Sequence, residues 1–427
     1  MHLAPTARQE QLRTELRTYF RELLPDGPVA DPAAQRAVLR RIGADGMLGL
    51  GWPTAYGGQG RGPDEQFVFF DEAYRAGAPV SMVTLNTVGP TLMKYGTQQQ
   101  KDYFLPRILS GELVFAIGYT EPEAGTDLAA LRTRAVKRTG EGEGDGEGED
   151  GGHGGPDAHG GPDVHGGPDA HGAPDAHNAP NSHWLINGAK SFTSNAHQAD
   201  WVWLACRTDP DAPKHKGISI ILVPTDAPGF SWTPIETVGG LTTTATYYDG
   251  VRVPAENLVG EENAGWKLIT NQLNHERVAL AAIGMQAEDA FEAALAHART
   301  PEPETGERPA DRPWVRSRLA EAHARLAATR LLNWRLVGDV GAGTLSPGDA
   351  SGVKFAGTES TVEVYRMCQE VVGDAALIRG GSPGAFGDGE LERMNRAAQI
   401  NTFGGGVSEV QREIVATMRL GMRRGRR

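Results

Sequence analysis

A carboxylate and a guanidinium stand side by side in an otherwise apolar stretch of the second half of the chain. The stretch reads NQLNHERVALAA and contains Glu276 followed by Arg277. Leu273, Val278 and Leu280 flank the pair, so the carboxylate would be only partly solvated, which raises a carboxyl pKa and suits a general base. A Glu–Arg pair on a helix is more often a solvated surface feature, so the pattern alone leaves both interpretations open.

Three consecutive glycines near the C-terminus precede a segment that is typical of a helix start. The sequence TFGGGVSEVQR contains Gly404, Gly405 and Gly406. Glycine tolerates left-handed backbone and the close approach of another group better than any other residue. We therefore expect the backbone there to turn sharply or to lie against something flat or bulky.

The elements that must position these residues change in type twice along the chain. Apolar spacings of three and four predict helices up to about residue 113, and β-branched or aromatic runs bounded by Gly, Pro and Asp predict strands up to about 254. Helices return in the remainder. The pattern predicts an α+β fold with an N-terminal helical domain (1–113), a central β domain (114–254) and a C-terminal helical bundle (255–427). Helices are expected at Ala7–Leu24, Trp266–Ala298, Val315–Val337 and Ser351–Val372, and strands at Trp201–Thr208, Gly217–Thr225 and Ala245–Pro254.

A low-complexity passage interrupts the β domain at residues 138–183. Its second half repeats the unit G-G-P-D-A-H, with six histidines from His153 to His183 at a period of six. With almost no apolar side chains it cannot bury enough surface to offset the entropy of ordering, so we expect a disordered loop. The histidines could hold a transition metal, but a flexible chain presets no coordination geometry, and the linker interpretation is preferred to a metal site.

Composition and charge limit the class of protein. The chain has 427 residues, 22% of them charged, and a formal net charge of −12, which fits a globular protein of two or three domains and argues against nucleic acid as a partner. Cys206 and Cys368 are far apart in apolar surroundings, so packing and a reducing compartment are expected rather than a disulfide. No apolar run approaches the ~18 residues of a membrane helix, and the N-terminus lacks an apolar signal segment, so we expect a cytoplasmic protein.

Five ordered segments, spanning nearly the whole chain, resemble the acyl-CoA dehydrogenase family. They are GLGWPTAYGGQG (Gly49–Gly60), GYTEPEAGTDLAALRT (Gly118–Thr133), INGAKSFTSNAHQADW (Ile186–Trp201), VRVPAENLVGEENAGW (Val251–Trp266) and GGGVSEVQREIVA (Gly404–Ala416). The resemblance implies an acyl-CoA dehydrogenase-like α+β fold in the same three-domain order, with FAD in the cleft between the β domain and the bundle.

The same resemblance assigns candidate cofactor-binding residues. Thr120 is expected to bond the pyrimidine side of the flavin, Ser194 to lie near N5 where the family usually has Thr, and Phe192 to replace the usual Trp wall. Gly125 and Thr126 match the turn beside the ribityl chain and the substrate. Arg277 and Gln369 are two further cofactor-binding positions. Outside such joint motifs, a lone Thr, Ser or Phe is usually ordinary packing.

The base that removes the substrate's α-proton is expected to be Glu276. Much of the family carries this carboxylate in the C-terminal motif, where the matching position here is Gly405. Isovaleryl- and long-chain-type members place it on the helix after the β domain, immediately before an Arg, and Glu276 occupies that position. Gly404, Gly405 and Gly406 are then expected to face the thioester and to leave room for a bulky acyl group.

Two motifs that reach the neighbouring subunit's FAD in most members are altered in this chain. The Arg-x-x-Phe-Gly element has no Phe-Gly, and the later Gln-x-x-Gly-Gly element appears as QEVVGDAAL, with one glycine lost. This combination is most similar to the subgroup that dehydrogenates steroid side-chain CoA esters as α2β2 assemblies. A homo- or heterotetramer is therefore expected.

The resemblance implies FAD-dependent α,β-dehydrogenation of a bulky or branched acyl thioester, either a CoA ester or a carrier-bound intermediate. The implied electron acceptor is a protein such as electron-transfer flavoprotein. A flavin oxidase or oxygenase on the same fold and a non-catalytic partner subunit remain as alternatives. Glu276 argues against the oxidase or oxygenase, and the flavin-facing motifs argue against a non-catalytic subunit.

Overall fold

The computed structural model describes residues 5–139, 182–272 and 284–423. Helices, an eight-stranded sheet and a second group of helices follow one another along the chain, which confirms the predicted α+β class and the order of its three parts. Glu276, Arg277 and most of the low-complexity passage lie outside the described residues.

The N-terminal helices form because their apolar residues recur on one face. In α1, Leu12, Leu16 and Phe20 are buried, and Thr6 and Gln9 close a capping box at its first turn. The apolar faces of these helices pack into a core that also takes in residues of the sheet and of the bundle. The helices are α1 (Ala7–Leu23), α2 (Pro32–Ala44), α3 (Pro63–Arg75), α4 (Gly89–Tyr95) and α5 (Gln98–Leu109).

The sheet has the strand order β6-β7-β3-β2-β4-β5-β8, with β1 pairing parallel to β4. Every residue of β4 except the last is buried, and β5 has the same pattern, so these two apolar strands lie in the interior. The strands are β1 (Phe115–Gly118), β2 (Arg134–Thr139), β3 (Ser182–Lys190), β4 (Trp201–Arg207), β5 (Ile218–Pro224), β6 (Phe230–Glu236), β7 (Thr242–Pro254) and β8 (Leu258–Val259).

The ends of the low-complexity passage differ from the predicted bounds of 138–183. Arg138 and Thr139 belong to β2, Ser182 and His183 belong to β3, and these residues pair across an antiparallel ladder. Strand pairing therefore continues two residues further on each side than the composition of the passage suggests. The sheet also continues past the predicted end at residue 254, because Leu258 and Val259 pair with β5.

The C-terminal bundle is built around the long helix α8. Its inward face includes Val364, Tyr365 and Cys368, which pack into a second apolar core with residues of α6 and α7. Cys206 and Cys368 are both buried and unpaired, as expected of packing residues. The elements are a helical segment at 265–272, α6 (Ala287–Arg299), α7 (Pro313–Gly341), α8 (Pro347–Val372), α9 (Glu390–Ala398) and α10 (Ser408–Ile414).

A guanidinium joins the N-terminal helices to the bundle. Arg75, at the end of α3, bonds Asp71 at 2.7 Å, the Met285 carbonyl at 2.9 Å and Glu288 at 2.9 Å, and it also pairs with Asp289. Burial opposes the charge of Arg75, but the carboxylates outweigh it and raise its pKa above the ordinary value. None of the helices in the described ranges is both long and apolar enough to cross a bilayer.

Candidate active site

The loop after β1 carries the first group of candidate residues. Glu121 and Ala124 exchange two main-chain hydrogen bonds of 3.1 Å, which folds the chain between them into a tight turn. A Cβ atom added to Gly125 would lie 3.7 Å from Cγ2 of Thr120, so Thr120 and Gly125 are neighbours across this turn. Gly125 and Thr126 are exposed and Thr120 is partly buried.

The loop after β3 carries the second group and is joined to the first. The N–H of Ser191 donates to the Thr120 carbonyl at 2.8 Å. Phe192 follows with a φ of +58°, a left-handed conformation that is rare for a bulky residue, and the residue is 62% exposed. Ser194 is also exposed, and its Oγ lies 3.1 Å from Oγ1 of Thr243. The two loops therefore present Thr120, Phe192 and Ser194 from one connected surface.

Threonines of β7 support the second loop from beneath. The N–H of Thr193 donates to the Thr244 carbonyl at 2.9 Å, and the Thr244 hydroxyl returns a bond of 2.6 Å to the Thr193 carbonyl. The Thr193 hydroxyl lies 3.2 Å from that of Thr246. Because Thr193 is fully buried between Phe192 and Ser194, these bonds fix the direction of both exposed neighbours.

A buried ion pair ties the two loops together at their base. Nζ of Lys190, the last residue of β3, lies 2.7 Å from Glu121 and 3.1 Å from the Tyr119 carbonyl. Glu121 also accepts the N–H groups of Arg132 and Thr133 at 2.7 and 2.8 Å. Burial opposes the charge of Glu121, but Lys190 and the hydrogen bonds with Thr133 outweigh it and hold its pKa below the ordinary value.

Tyr119 also connects the sheet to the helical segment that enters the bundle. Its hydroxyl accepts from Nε1 of Trp203 at 3.1 Å and donates to Oε1 of Gln272. Gln272 is only 1% exposed, and its Nε2 has no hydrogen-bond partner among the described residues. The first candidate loop is thus in direct contact with the segment that leads towards Glu276.

The three glycines form a loop between α9 and α10. Gly405 has a φ of +66° and Gly406 a φ of +102°, so the sharp turn expected from the sequence is present. Nζ of Lys354 donates to the Gly406 carbonyl at 2.7 Å, and Nε2 of Gln411 donates to the Gly405 carbonyl at 3.3 Å. The loop is therefore anchored to α8 and α10.

Gln369 does not join the two candidate loops. Its Nε2 donates to the Ala376 carbonyl at 3.1 Å, and its own carbonyl accepts the N–H of Gly373 where α8 ends. Within the described residues, its side chain thus closes the turn that follows α8. Its cofactor-binding role, like those of Glu276 and Arg277, rests on the sequence.

Sequence reasoning missed the buried polar groups behind the candidate residues. Lys190, Gln272 and Lys354 are at most 6% exposed, and each bonds a group within or next to a candidate loop. A lysine directly before the SFTSN loop, four residues after the apolar Trp184–Ile186 run, was a usable signal for Lys190. Nothing in the local sequence marks Gln272 or Lys354, because their partners are distant along the chain.

Comparison with known proteins assigns the chain to a family. Residues 6–112 match the family description "Acyl-CoA dehydrogenase, N-terminal domain", residues 163–251 its middle domain and residues 263–420 its C-terminal domain. The acyl-CoA dehydrogenase FadE26 of Mycobacterium tuberculosis is 45% identical over 448 aligned positions that cover all of both chains.

Solved structures give the same result. The chain is similar to a structure described as "Tcur3481-Tcur3483 steroid ACAD", at 49% identity and a TM-score of 0.85, with 100% of each chain covered. It is also similar to the ChsE4-ChsE5 complex from Mycobacterium tuberculosis, at 44% identity and a TM-score of 0.83, again with 100% of each chain covered. The chain therefore belongs to the acyl-CoA dehydrogenase family and is an oxidoreductase of that family.

Proposed function

We propose that the chain catalyses FAD-dependent α,β-dehydrogenation of a bulky or branched acyl thioester, with Glu276 as the base. The observation that carries the proposal is the joining of the two loops by the Ser191–Thr120 hydrogen bond, with exposed Phe192 and Ser194 on one side and buried Lys190 on the other. Such an arrangement holds polar groups and an aromatic ring in fixed positions for a flat ligand.

The chemistry of these groups fits a flavin. Thr120 and Ser194 offer hydroxyls, which can donate or accept along a ring edge that carries both kinds of group. Phe192 offers an aromatic ring against which a flat ligand can stack. Its left-handed backbone is held by the hydrogen bonds of the adjacent Thr193, and strained residues of this kind are typical of functional sites. When bound, FAD supplies the acceptor for the hydride that leaves the β-carbon.

The chain's own residues supply the proton chemistry. Removal of the α-proton requires a carboxylate within hydrogen-bond reach and a hydrogen-bonded thioester carbonyl that makes the proton acidic. We assign the first role to Glu276 and the second to main-chain N–H groups of the triglycine loop, Gly404–Gly406. Because Gly405 has no side chain, the space that a carboxylate would fill there remains for a branched acyl group.

The same loop and the relatives support the proposed substrate class. One similar structure is described as a steroid acyl-CoA dehydrogenase, and a bulky ring-bearing acyl group is compatible with three glycines at the proposed thioester site. A CoA ester and a carrier-bound ester carry the same thioester, and we propose the CoA ester because the relatives are named acyl-CoA dehydrogenases.

Anaerobic flavin reduction with a panel of acyl-CoA esters tests the function. We expect a steroid side-chain or other branched ester to bleach the flavin, and a straight short chain to do so at a small fraction of that rate. Mass spectrometry should find a product two hydrogens lighter than the substrate. Rapid oxidation by O₂ with an oxygenated product would instead favour the oxygenase alternative.

We further propose that the chain works as one of two different subunits in the cytoplasm, with electron-transfer flavoprotein as the acceptor. Arg308 and Arg312 follow the position of the altered Arg-x-x-Phe-Gly element. Arg308 pairs with Asp311 at 3.0 Å, and Arg312 pairs with Glu302 at 2.8 Å. Both guanidiniums therefore already have a carboxylate partner in the chain's own loop. Two of the similar structures are named as pairs of different proteins.

Expressed alone, the chain should therefore hold FAD weakly, and a homologous subunit with intact Arg and Gly-Gly elements should restore about one flavin per pair. The physical reason is that the cofactor's pyrophosphate otherwise lacks a cationic contact. Flavin absorbance per protein after gel filtration, with and without the second subunit, measures the effect. A stable homotetramer with one tightly bound FAD per chain would contradict this assembly.

A further inference from the structure

Three large apolar side chains are exposed within five residues beyond the end of α10. Met418, Leu420 and Met422 are 61%, 66% and 59% exposed. Single exposed apolar side chains are normal on a protein surface, whereas a contiguous set of them usually marks a surface that binds something. This set lies outside the candidate active site and has no part in the proposed reaction.

The backbone presents these side chains from a closed turn. A π-helical turn, Val415–Arg419, continues α10. Gly421 then takes a φ of +66°, and the N–H of Met422 donates back to the Ala416 carbonyl at 2.9 Å. A left-handed glycine followed by a returning main-chain hydrogen bond is a common way to end a helix. The chain therefore reverses at a defined point next to the exposed Leu420.

Arg419 fastens this turn to the first residues of α8. Its Nε lies 2.8 Å from Oδ1 of Asp349. A Cβ atom added to Gly348 would come within 2.9 Å of Cβ of Arg419, so the two chain segments are in close contact. Asp349 is itself held by the hydroxyl of Ser346, which donates to it at 2.7 Å. The turn thus has a fixed place on the surface of the bundle.

The same stretch is strongly basic. Residues 415–427 contain five arginines and no carboxylate, within a chain whose formal net charge is −12. Arg423 is exposed, and three more arginines follow it in the sequence beyond the described residues, Arg424, Arg426 and Arg427. Guanidiniums bind phosphate groups, and exposed leucine and methionine side chains can enter the boundary between lipid headgroups and acyl chains. A soluble polyanion would match the arginines alone and leave the apolar side chains in water.

We propose that the arginine tail, residues 415–427, docks the protein on the surface of a membrane that contains anionic lipids. Met418, Leu420 and Met422 enter the headgroup boundary, and the arginines bind lipid phosphates. Each arginine near such a surface strengthens binding about fivefold, and each large apolar side chain that becomes buried does so about tenfold or more. The contact is peripheral and does not depend on the proposed reaction.

Co-sedimentation of the full chain with vesicles tests the proposal. We expect the parent to sediment with an equal mixture of phosphatidylcholine and phosphatidylglycerol, and to stay in solution with phosphatidylcholine alone. The double variant Leu420→Ser with Met422→Ser keeps every charge and should bind the mixed vesicles at least about tenfold more weakly. Replacement of the four arginines at 423, 424, 426 and 427 by glutamine should weaken binding by about 10²- to 10³-fold.

Leu377→Ser is the matched control for the serine variant. Leu377 is 62% exposed, close to the exposure of Leu420, but it lies outside the tail, so this variant should bind as the parent does. Circular dichroism checks that each variant keeps its fold, which replacements at exposed positions should preserve. The proposal is overturned if the parent stays in solution with the mixed vesicles. It is also overturned if the double serine variant binds them as tightly as the parent, because charge alone then accounts for the attraction, as it would for a nucleic acid or an acidic protein.

Discussion

Glu276→Gln should keep its flavin and bind the acyl thioester, yet reduce the flavin about 10²- to 10⁴-fold more slowly than the parent, the usual cost of a lost general base. Glutamine preserves the size and polarity of the side chain but cannot take up the α-proton. Stopped-flow absorbance under anaerobic conditions measures the rate, and titration with the enoyl product measures binding. A lower rate with unchanged binding marks an interaction made only in the transition state.

Glu292→Gln is the matched control for this variant. Glu292 is an exposed carboxylate on α6, so its replacement should change neither the rate nor the binding. A second variant, Glu276→Gly with Gly405→Glu, moves the carboxylate to the position used by much of the family. It should recover part of the rate with shorter, less branched substrates, since the new side chain fills the space at the glycines. If the flavin of Glu276→Gln is reduced at the parent's rate, the assignment of Glu276 as the base is wrong.

Lys190→Met should lower the free energy of unfolding by about 3–5 kcal/mol, the typical cost of removing one partner of a buried ion pair. The change leaves the Glu121 carboxylate buried with the N–H groups of Arg132 and Thr133 but without its cation, and it removes the Lys190 donor from the Tyr119 carbonyl. Because Thr120 follows directly, the first candidate loop should loosen, and if that loop binds the cofactor as proposed, flavin content should fall as well. Chemical denaturation of the complex and flavin absorbance measure the two effects.

The pH dependence of the free energy of unfolding distinguishes the contribution of the Lys190–Glu121 ion pair from that of side-chain packing. The pKa of Glu121 is lowered in the folded chain, so its stabilisation is present at neutral pH and is lost as the pH falls below the ordinary carboxyl value of about 4.3. The difference between parent and Lys190→Met should therefore shrink in acid. Adding Glu121→Gln should restore part of the loss, and Lys137→Met, an exposed lysine of β2, should cost far less. Equal losses of stability in Lys137→Met and Lys190→Met would contradict a specific contribution from the Lys190–Glu121 ion pair.

Much of the fold follows from the sequence because its elements are strongly patterned. The spacing of Leu12, Leu16 and Phe20 predicts α1 to within one residue, and the run at Trp201 predicts β4 to within one residue. The strand β6 was not predicted, since its residues are mostly exposed and it contains Pro234. Such an edge strand is set by its pairing with β7 rather than by its own apolar pattern.

From the sequence, the candidate site was predicted only at residues of its two motif loops. Thr120 and Ser194 stand in recognisable motifs, and the structure places their two loops in contact. The groups that hold those loops were not predicted, because pairs such as Lys190 with Glu121 or Tyr119 with Gln272 join residues far apart in sequence. A buried polar contact of this kind depends on the assembled fold, whereas a motif is local.

The pairing of Thr139 with Ser182 has a consequence for how this chain can change over generations and in the laboratory. Directly paired residues of antiparallel strands lie only about 5 Å apart, so the intervening passage leaves and re-enters the sheet through one narrow opening, as a hairpin turn does. We expect gain or loss of six-residue units there to leave the register of β2 and β3 unchanged. Repeat number should therefore be able to vary without shifting the two paired strands, and the same opening is a natural place to create new chain termini or to graft an affinity handle.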